Sequence, residues 1–201
     1  YGYGRTGQAV VDKIAETAGQ IWVFDDGGGL SESIGSTEVL TSTENHPITQ
    51  LDRLIVSPGI PLDNQYVEQA RSLGLPIWGE LELAYRLLEP RPIWAVTGTN
   101  GKSTCVELIG DLLESRGRSA FVGGNRGAPL IDVVGKESSY SDYVVEVSSF
   151  QIETLETFQP DRVLLTNLGD DHLDRHGGLR DYHQLKWELV DRCSPEGVIA
   201  V

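Results

Sequence analysis

Short apolar runs alternate with amphipathic stretches from one end of the chain to the other. The runs at 21–24, 54–56, 75–78, 93–97, 120–122, 143–147, 163–166 and 198–201 are rich in Val, Ile and aromatic residues and are bounded by Gly, Pro, Asp or Asn. That pattern predicts strands. Most are too continuously apolar to leave one face in water, which suits a parallel sheet covered on both sides. Between them, helical periodicity predicts four helices. The first, over 6–18, places Ala9, Val10, Ile14 and Ala18 on one stripe and stops at Gly19. The second, over 64–73, has Asp63 or Asn64 as its cap and stops at Gly74. The third, over 102–116, turns Cys105, Leu108, Ile109, Leu112 and Leu113 inward and stops at Gly117. The fourth covers 179–193. Strand–helix alternation of this kind is α/β architecture with right-handed crossovers.

Pro90-Arg91-Pro92 interrupts the pattern before a fresh strand and marks the expected domain boundary, giving units 1–89 and 90–201. The segment from Gly27 to Asn45 is polar and Gly/Ser/Thr-rich, a loop with room for one short strand. The chain starts at Tyr1, contains no Met and ends at Val201 within an apolar run, so both ends are expected to be cut.

Composition narrows the possibilities. The 201 residues carry 16 Lys plus Arg against 30 Asp plus Glu, a formal charge of −14 and a pI near 4.6. Nucleic-acid binders normally show a basic face, so that class is not expected. No apolar run approaches the roughly 18 residues of a membrane span. The two cysteines, Cys105 and Cys193, form no CxxC pattern, and no secretion signal is visible. A reducing cytoplasm is therefore the expected setting.

Two glycine-rich loops carry the candidate chemistry. Gly2-Tyr3-Gly4-Arg5-Thr6-Gly7 matches G-x-G-x-x-G. Such a loop needs a strand before it and a helix after it, so that free N–H groups at the helix start face an anion. The helix is predicted, whereas only Tyr1 precedes the loop. Asp25-Asp26 follow the next strand at the distance expected for a ribose or base contact. A nucleotide site and a tight structural turn both fit this motif. The second loop, Thr97-Gly98-Thr99-Asn100-Gly101-Lys102-Ser103-Thr104, ends in the G-K-S of a P-loop, with Val96 where the strict pattern has Gly. Gly98 and Gly101 let the backbone fold around phosphates, Lys102 brings a charge to the outer phosphates, and the Ser103 hydroxyl suits Mg²⁺.

Further candidates lie downstream. Glu146 stands near the end of an apolar strand, where it either joins Ser103 on Mg²⁺ or simply reaches water. Asp170, Asp171, His172, Asp174 and His176 crowd the end of the strand at 163–166. Zinc on His172 and His176, a facial triad of His172, Asp174 and His183, and a solvated charged loop are rival readings. Lys186 shares a helical stripe with Leu179, Tyr182, Leu189 and Cys193. A lysine there either carries its amine to water along its stem or is functional.

Taken together, these segments resemble the Mur ligases of bacterial cell-wall synthesis over essentially the whole chain. The marks are Gly2 to Gly7, Ser57-Pro58-Gly59-Ile60-Pro61, Gly79-Glu80-Leu81-Glu82-Leu83, Thr97 to Thr104, Gly123-Gly124-Asn125, Glu146-Val147-Ser148-Ser149-Phe150-Gln151 and Asp171-His172-Leu173-Asp174-Arg175. The nucleotide loop is shared with folylpolyglutamate synthase, and the combination points to the D-glutamate-adding branch. The resemblance implies an α/β protein with a Rossmann-like N-terminal domain, a P-loop-type central ATPase domain with a mostly parallel sheet, and a C-terminal amino-acid-binding domain that this sequence lacks. It implies ATP-dependent ligation of D-glutamate to UDP-N-acetylmuramoyl-L-alanine through an acyl phosphate, by a cytoplasmic bacterial enzyme expected to be a monomer. Gly98, Thr99, Asn100, Gly101, Lys102, Ser103 and Thr104 would cradle ATP. Ser103 and Glu146 match ligands of one Mg²⁺, and His172 and Lys186 match positions serving a second, with the lysine carbamylated. Gly4, Arg5, Thr6, Asp25, Asp26, Ser57, Pro58 and Gly59 match the UDP site, and Asn125 and Ser148 the muramoyl-alanine end. Without its first strand, the end of its central sheet and the third domain, the chain by itself is expected to lack ligase activity. Another ligase of the same architecture, a non-catalytic relative and an NAD-dependent oxidoreductase are the competing readings.

Overall fold

The structure, a computed structural model, describes residues 1–15, 17–25, 37–40, 47–171 and 176–201. Its elements run in alternating order: α1 (Arg5–Ile14), β1 (Ile21–Phe24), β2 (Thr37–Leu40), β3 (Leu54–Ile55), α2 (Gln65–Ser72), β4 (Ile77–Trp78), α3 (Glu80–Leu87), β5 (Ile93–Thr97), α4 (Lys102–Ser115), β6 (Ala120–Gly124), β7 (Asp142–Glu146), the short α5 (Ser149–Ile152), β8 (Arg162–Leu165), α6 (Leu179–Asp191) and β9 (Val198–Ala200). Every predicted strand and helix is present, within a few residues of its expected limits. The Gly/Ser/Thr-rich segment contributes the short strand β2.

Strands β6-β7-β5-β8-β9 form one sheet, parallel throughout. Because strand side chains alternate between faces, the central strand β5 serves two cores. Val96 packs with Val106 and Leu113 of α4 and with Val144. Ile93 and Ala95 belong to the larger core, with Leu81 of α3, Val145 and Leu189 of α6. Val96 is fully buried and paired with Glu146. Its place is therefore strand, and the loop that departs from the strict P-loop pattern opens at Gly98.

Two smaller parallel pairs, β1-β2 and β3-β4, precede this sheet. Tyr1 and Gly2 lie between them: Gly2 N–H donates to Phe24 O (2.8 Å), and Ser57 N–H donates to Tyr1 O (2.9 Å). They thus occupy the place of a strand end ahead of the first glycine loop. Asn64 caps α2 as predicted, accepting from Tyr66 N–H at 2.9 Å.

Three expectations are corrected. Leu108 and Leu112 do not face inward: they are 55% and 62% exposed, and α4 buries Val106, Gly110 and Leu113 instead. The sheet covers a narrower arc of α4 than its apolar residues span. Leu179, at the first turn of α6, is also exposed, while Tyr182, Lys186 and Leu189 of its stripe are buried. Helix α1 ends at Ile14 with Ala15 as its cap, four residues before Gly19.

Helix α3 was not foreseen. It starts with two buried acidic residues that reach past the Pro90–Pro92 break. Glu80 Oε1 accepts from Ile131 N–H at 2.6 Å. Glu82 accepts from the backbone N–H groups of Glu156, Thr157 and Phe158 (2.9–3.0 Å), from the Thr157 hydroxyl (2.6 Å) and from Arg86 Nε (2.7 Å). Burial alone would raise the Glu82 pKa, but these donors outweigh it and hold the carboxyl below its usual range. Arg86 in turn lies over the Trp78 ring, 4.1 Å from its centroid.

Candidate functional site

Ligand sites in open α/β sheets form outside the carboxyl ends of the strands. There the turn after β5 folds into α4. Gly98 adopts φ +138°, and a Cβ on it would lie 2.0 Å from Thr166 Oγ1 and 3.1 Å from Asn167 N, so no other residue fits. Gly101 is the N-cap of α4, in the left-handed region (φ +81°), with no side chain capping the helix and open space around its own position. An uncapped helix start presents free N–H groups and about half a unit of positive charge to an anion.

The loop is held from the next strand end. Asn167 O accepts from Thr99 N–H (3.1 Å), Asn167 Oδ1 from Asn100 N–H (3.0 Å), and the Thr166 hydroxyl donates to Asn100 O (2.7 Å). Thr99 Oγ1 accepts from Gly169 N–H (2.9 Å) and lies 3.4 Å from the Tyr182 hydroxyl. Glu146, paired with Val96 in the ladder, is 2% exposed and accepts from Ser103 Oγ at 2.5 Å and from Asn125 Nδ2 at 3.0 Å. A hydroxyl and a carboxylate at a phosphate loop are the donor set Mg²⁺ takes when substrate phosphates and water complete its shell. These residues fit that ion. Among the described residues, no group of three or more His, Cys, Asp or Glu side chains is placed to hold a metal.

Two lysines converge on the same loop. Lys102 Nζ donates to Gly98 O (3.0 Å) and Thr99 O (2.9 Å). Lys186 Nζ donates to Gly98 O (3.1 Å) and sits 4.2 Å from the centroid of the Tyr182 ring. Lys186 is 1% exposed, so its stem does not carry the amine to water. Burial lowers its pKa to about 8, Lys102 adds to the shift, and Asp171 opposes it. The amine is therefore far closer to its neutral, nucleophilic form than a surface lysine.

A second cleft, of about 470 Å³, brings together most of the residues expected to bind UDP: Gly4, Arg5, Thr6, Asp25, Ser57, Pro58, Gly59 and Asn125. The first glycine loop forms part of its wall. A Cβ on Gly7 would lie 2.3 Å from Gly2 O, whereas around Gly4 there is open space. Asp25 accepts from Tyr3 N–H at 2.6 Å, so it also shapes the loop. Ser148 is not in the cleft wall: it caps α5 in a reciprocal box with Gln151, and Gln151 lines the cleft in its place. Asp26, His172 and Asp174 lie outside the described residues. His183 Nε2 lies 3.1 Å from Gly169 O.

Sequence reasoning gave no role to Glu80, named only within a family mark; it lines the same cleft and is 2% exposed, with Oε2 lacking a hydrogen-bond partner. Burial raises its pKa to about 7, and the Ile131 N–H bond only partly offsets that. It also missed Thr166 and Asn167, the clasp of the phosphate loop. An acidic residue at the first turn of a helix and polar residues just beyond a strand were the available signals.

The strand–loop–helix with its lysine, and the carboxylate on the adjoining strand, give the arrangement of an α/β protein of P-loop type. Residues 96–201 match the Mur ligase middle domain, and the chain belongs to the Mur ligase family. The UDP-N-acetylmuramoylalanine–D-glutamate ligase of Desulfatibacillum aliphaticivorans is 40% identical over 189 residues, covering 90% of this chain and 42% of its own length. The enzyme of that name from Koribacter versatilis is 44% identical over 140 residues, covering 70% of this chain and 31% of its own. The chain thus spans less than half the length of these relatives. Among solved structures, UDP-N-acetylmuramate:L-alanyl-gamma-D-glutamyl-meso-diaminopimelate ligase from Neisseria meningitides is similar with a TM-score of 0.58 at 21% identity, over 98% of this chain and 68% of that one. This likeness speaks for the fold. No helix among the described residues is long and apolar enough to cross a membrane.

Proposed function

We propose that the chain is the nucleotide-handling portion of a cytoplasmic ligase that adds D-glutamate to UDP-N-acetylmuramoyl-L-alanine in peptidoglycan precursor synthesis. The observation that carries the reading is the Ser103–Glu146 hydrogen bond at the start of α4, inside the segment that matches the family. Curated relatives named for this reaction support the choice of amino acid. In this reading, residues 1–89 hold the UDP end of one substrate and residues 90–201 hold ATP. Bound with magnesium, ATP would supply the phosphoryl group that activates the substrate carboxylate as an acyl phosphate, with ADP left behind; the amine of D-glutamate then attacks the acyl carbon, forming the amide and releasing inorganic phosphate.

This chain's residues do the holding. The N–H groups from Gly98 to Thr104 cradle the phosphates. Lys102 swings from the loop carbonyls to offset phosphate charge, a positioning and electrostatic role. Ser103 and Glu146 would hold the first Mg²⁺, and Lys186, as its carbamate, would serve a second with His172. That carbamate would form from the neutral amine and CO2 with loss of a proton, and burial beside Lys102 favours the neutral amine. Gly4, Arg5, Thr6, Asp25, Asp26, Ser57, Pro58 and Gly59 take the UDP group, with Asn125 and Ser148 toward the muramoyl-alanine end.

The test incubates the full-length protein with ATP, Mg²⁺, UDP-N-acetylmuramoyl-L-alanine and a panel of amino acids. Phosphate release dependent on D-glutamate is expected. Release with L-lysine or diaminopimelate alone would assign a different ligase of the same architecture.

A further inference from the structure

His176 occupies a place that the proposed chemistry leaves unused. Its side chain is 1% exposed, and a buried imidazole is costly unless both ring nitrogens find partners. Both do. Nε2 lies 2.9 Å from Ser149 Oγ, and Nδ1 lies 3.3 Å from Glu153 Oε1. The Phe150 ring stacks on the imidazole with centroids 5.1 Å apart, and the Tyr182 ring lies 5.4 Å away. A carboxylate can only accept, so Nδ1 faces it as the donor, and in that tautomer Nε2 accepts from the Ser149 hydroxyl. Carboxylate, imidazole and serine form a relay in the order that hydrolases use. Ser149, however, is 3% exposed, and neither Ser149 nor His176 lines the substrate cleft. The relay is built to hold, not to attack.

What it joins is specific. Ser149 opens α5, directly after Ser148 and three residues after Glu146. His176 stands just before Gly177 and Gly178, and Gly178 is the N-cap of α6. Gly177 and Gly178 both have positive φ (+48° and +149°), and a glycine pair restrains a helix start only weakly. Four residues before Lys186 on α6, Tyr182 carries the ring beneath the Lys186 amine and the hydroxyl beside Thr99 of the phosphate loop.

We propose that His176 is a positioning residue. Through Ser149 and Glu153 it fixes the start of α6, and with it Lys186, against the strand end that bears Glu146. This rests on the ligase reading for its functional consequence, although the restraint on α6 exists without any ligand.

The experiment uses the full-length protein and His176→Phe, which keeps a ring between Phe150 and Tyr182 but removes both nitrogens. Turnover in the phosphate-release assay falls by about tenfold or more, as expected when reacting groups lose their alignment. The KM for the UDP substrate stays within about twofold, since that cleft is untouched. In the ligand-free protein, amide exchange quickens along α6 and not along α4. Ser149→Ala and Glu153→Gln each reproduce part of the loss, and the double variant Ser149→Ala/His176→Phe is no worse than His176→Phe alone, because the groups act as a unit. Should His176→Phe not fold, Ser149→Ala and Glu153→Gln decide the matter by the same readouts. Unchanged turnover with unchanged α6 exchange overturns the proposal, as does a lower melting temperature with turnover per folded molecule preserved. If the wild-type protein releases no phosphate, the ligase reading fails, while α6 exchange still tests the relay.

Discussion

Lys186 and Glu80 both sit where burial opposes their charge, and each makes a testable demand on stability. Lys186 has a folded pKa near 8 against an ordinary 10.5. The unfolded chain therefore binds the extra proton between these values, and the stability tied to the neutral amine is lost as pH falls through about 8. Replacing it with Met, of similar shape and no charge, should raise the unfolding free energy at pH 7 by about 1–3 kcal/mol. It should also abolish ligation in the full-length protein, a trade expected where a buried charge is kept for function. Urea unfolding and the phosphate-release assay together check both halves. Glu80 works in the opposite sense. Its pKa is raised from 4.5 to about 7, so the folded state holds the extra proton. Its contribution is intact below about pH 4.5 and is lost as pH rises through 7. Glu80→Gln keeps an acceptor for Ile131 N–H without the charge. It should flatten the fall in stability between those pH values and stabilise the fold above pH 7 by about 1–3 kcal/mol. Unfolding curves at pH 5, 6 and 8 measure this.

At the scale of elements, α3 and α4 show what a hydrophobic pattern does and does not disclose. Helix α4 was legible from its apolar period, yet its inward face was misjudged, because Leu108, Leu112 and Leu113 satisfy a helical stripe equally well. Only the sheet decides which arc is covered. Leu113→Ala should cost about 2–4 kcal/mol, while Leu112→Ala should stay within about 0.5 kcal/mol, as read from denaturant midpoints. Helix α3 is not predicted by the local pattern, because two of its first three residues are glutamates and break the apolar period. Those side chains are buried, and they gain their partners only from segments some 50 and 75 residues away, beyond any local pattern. Glu82→Ala would strip the acceptor from three backbone N–H groups and from Arg86. The expected loss is about 3–5 kcal/mol, seen as a lower melting temperature.

For the whole molecule, parallel order and ligand placement follow from one rule: loops at the carboxyl ends of parallel strands share one side of the sheet. The sequence made the two glycine loops, Lys102 and the Glu146 strand end legible, since each is a local motif. It offered a meeting of Glu146 with Ser103 as one of two readings, but it did not disclose that Glu146 would pair with Val96, nor that Lys186 would reach Gly98. Those are products of strand order β6-β7-β5-β8-β9, which no local spacing encodes. The expected boundary at Pro90–Pro92 names a break in the pattern. The packing is continuous across it, with Trp78, Leu81 and Leu83 in the same core as Ile93 and Val145. The second cleft draws on both sides of that break, from Gly4 and Ser57 to Asn125 and Gln151, the arrangement that the proposed reaction needs.

The central claim is that residues 98–104, with Glu146, form a working nucleotide site. Its most direct test is calorimetric titration of the full-length protein and its Lys102→Ala variant with magnesium-loaded adenylyl imidodiphosphate. One site per molecule is expected, with affinity lowered at least about tenfold in the variant by the lost charge-assisted contacts. No binding to the wild type, or equal affinity in both proteins, would contradict it.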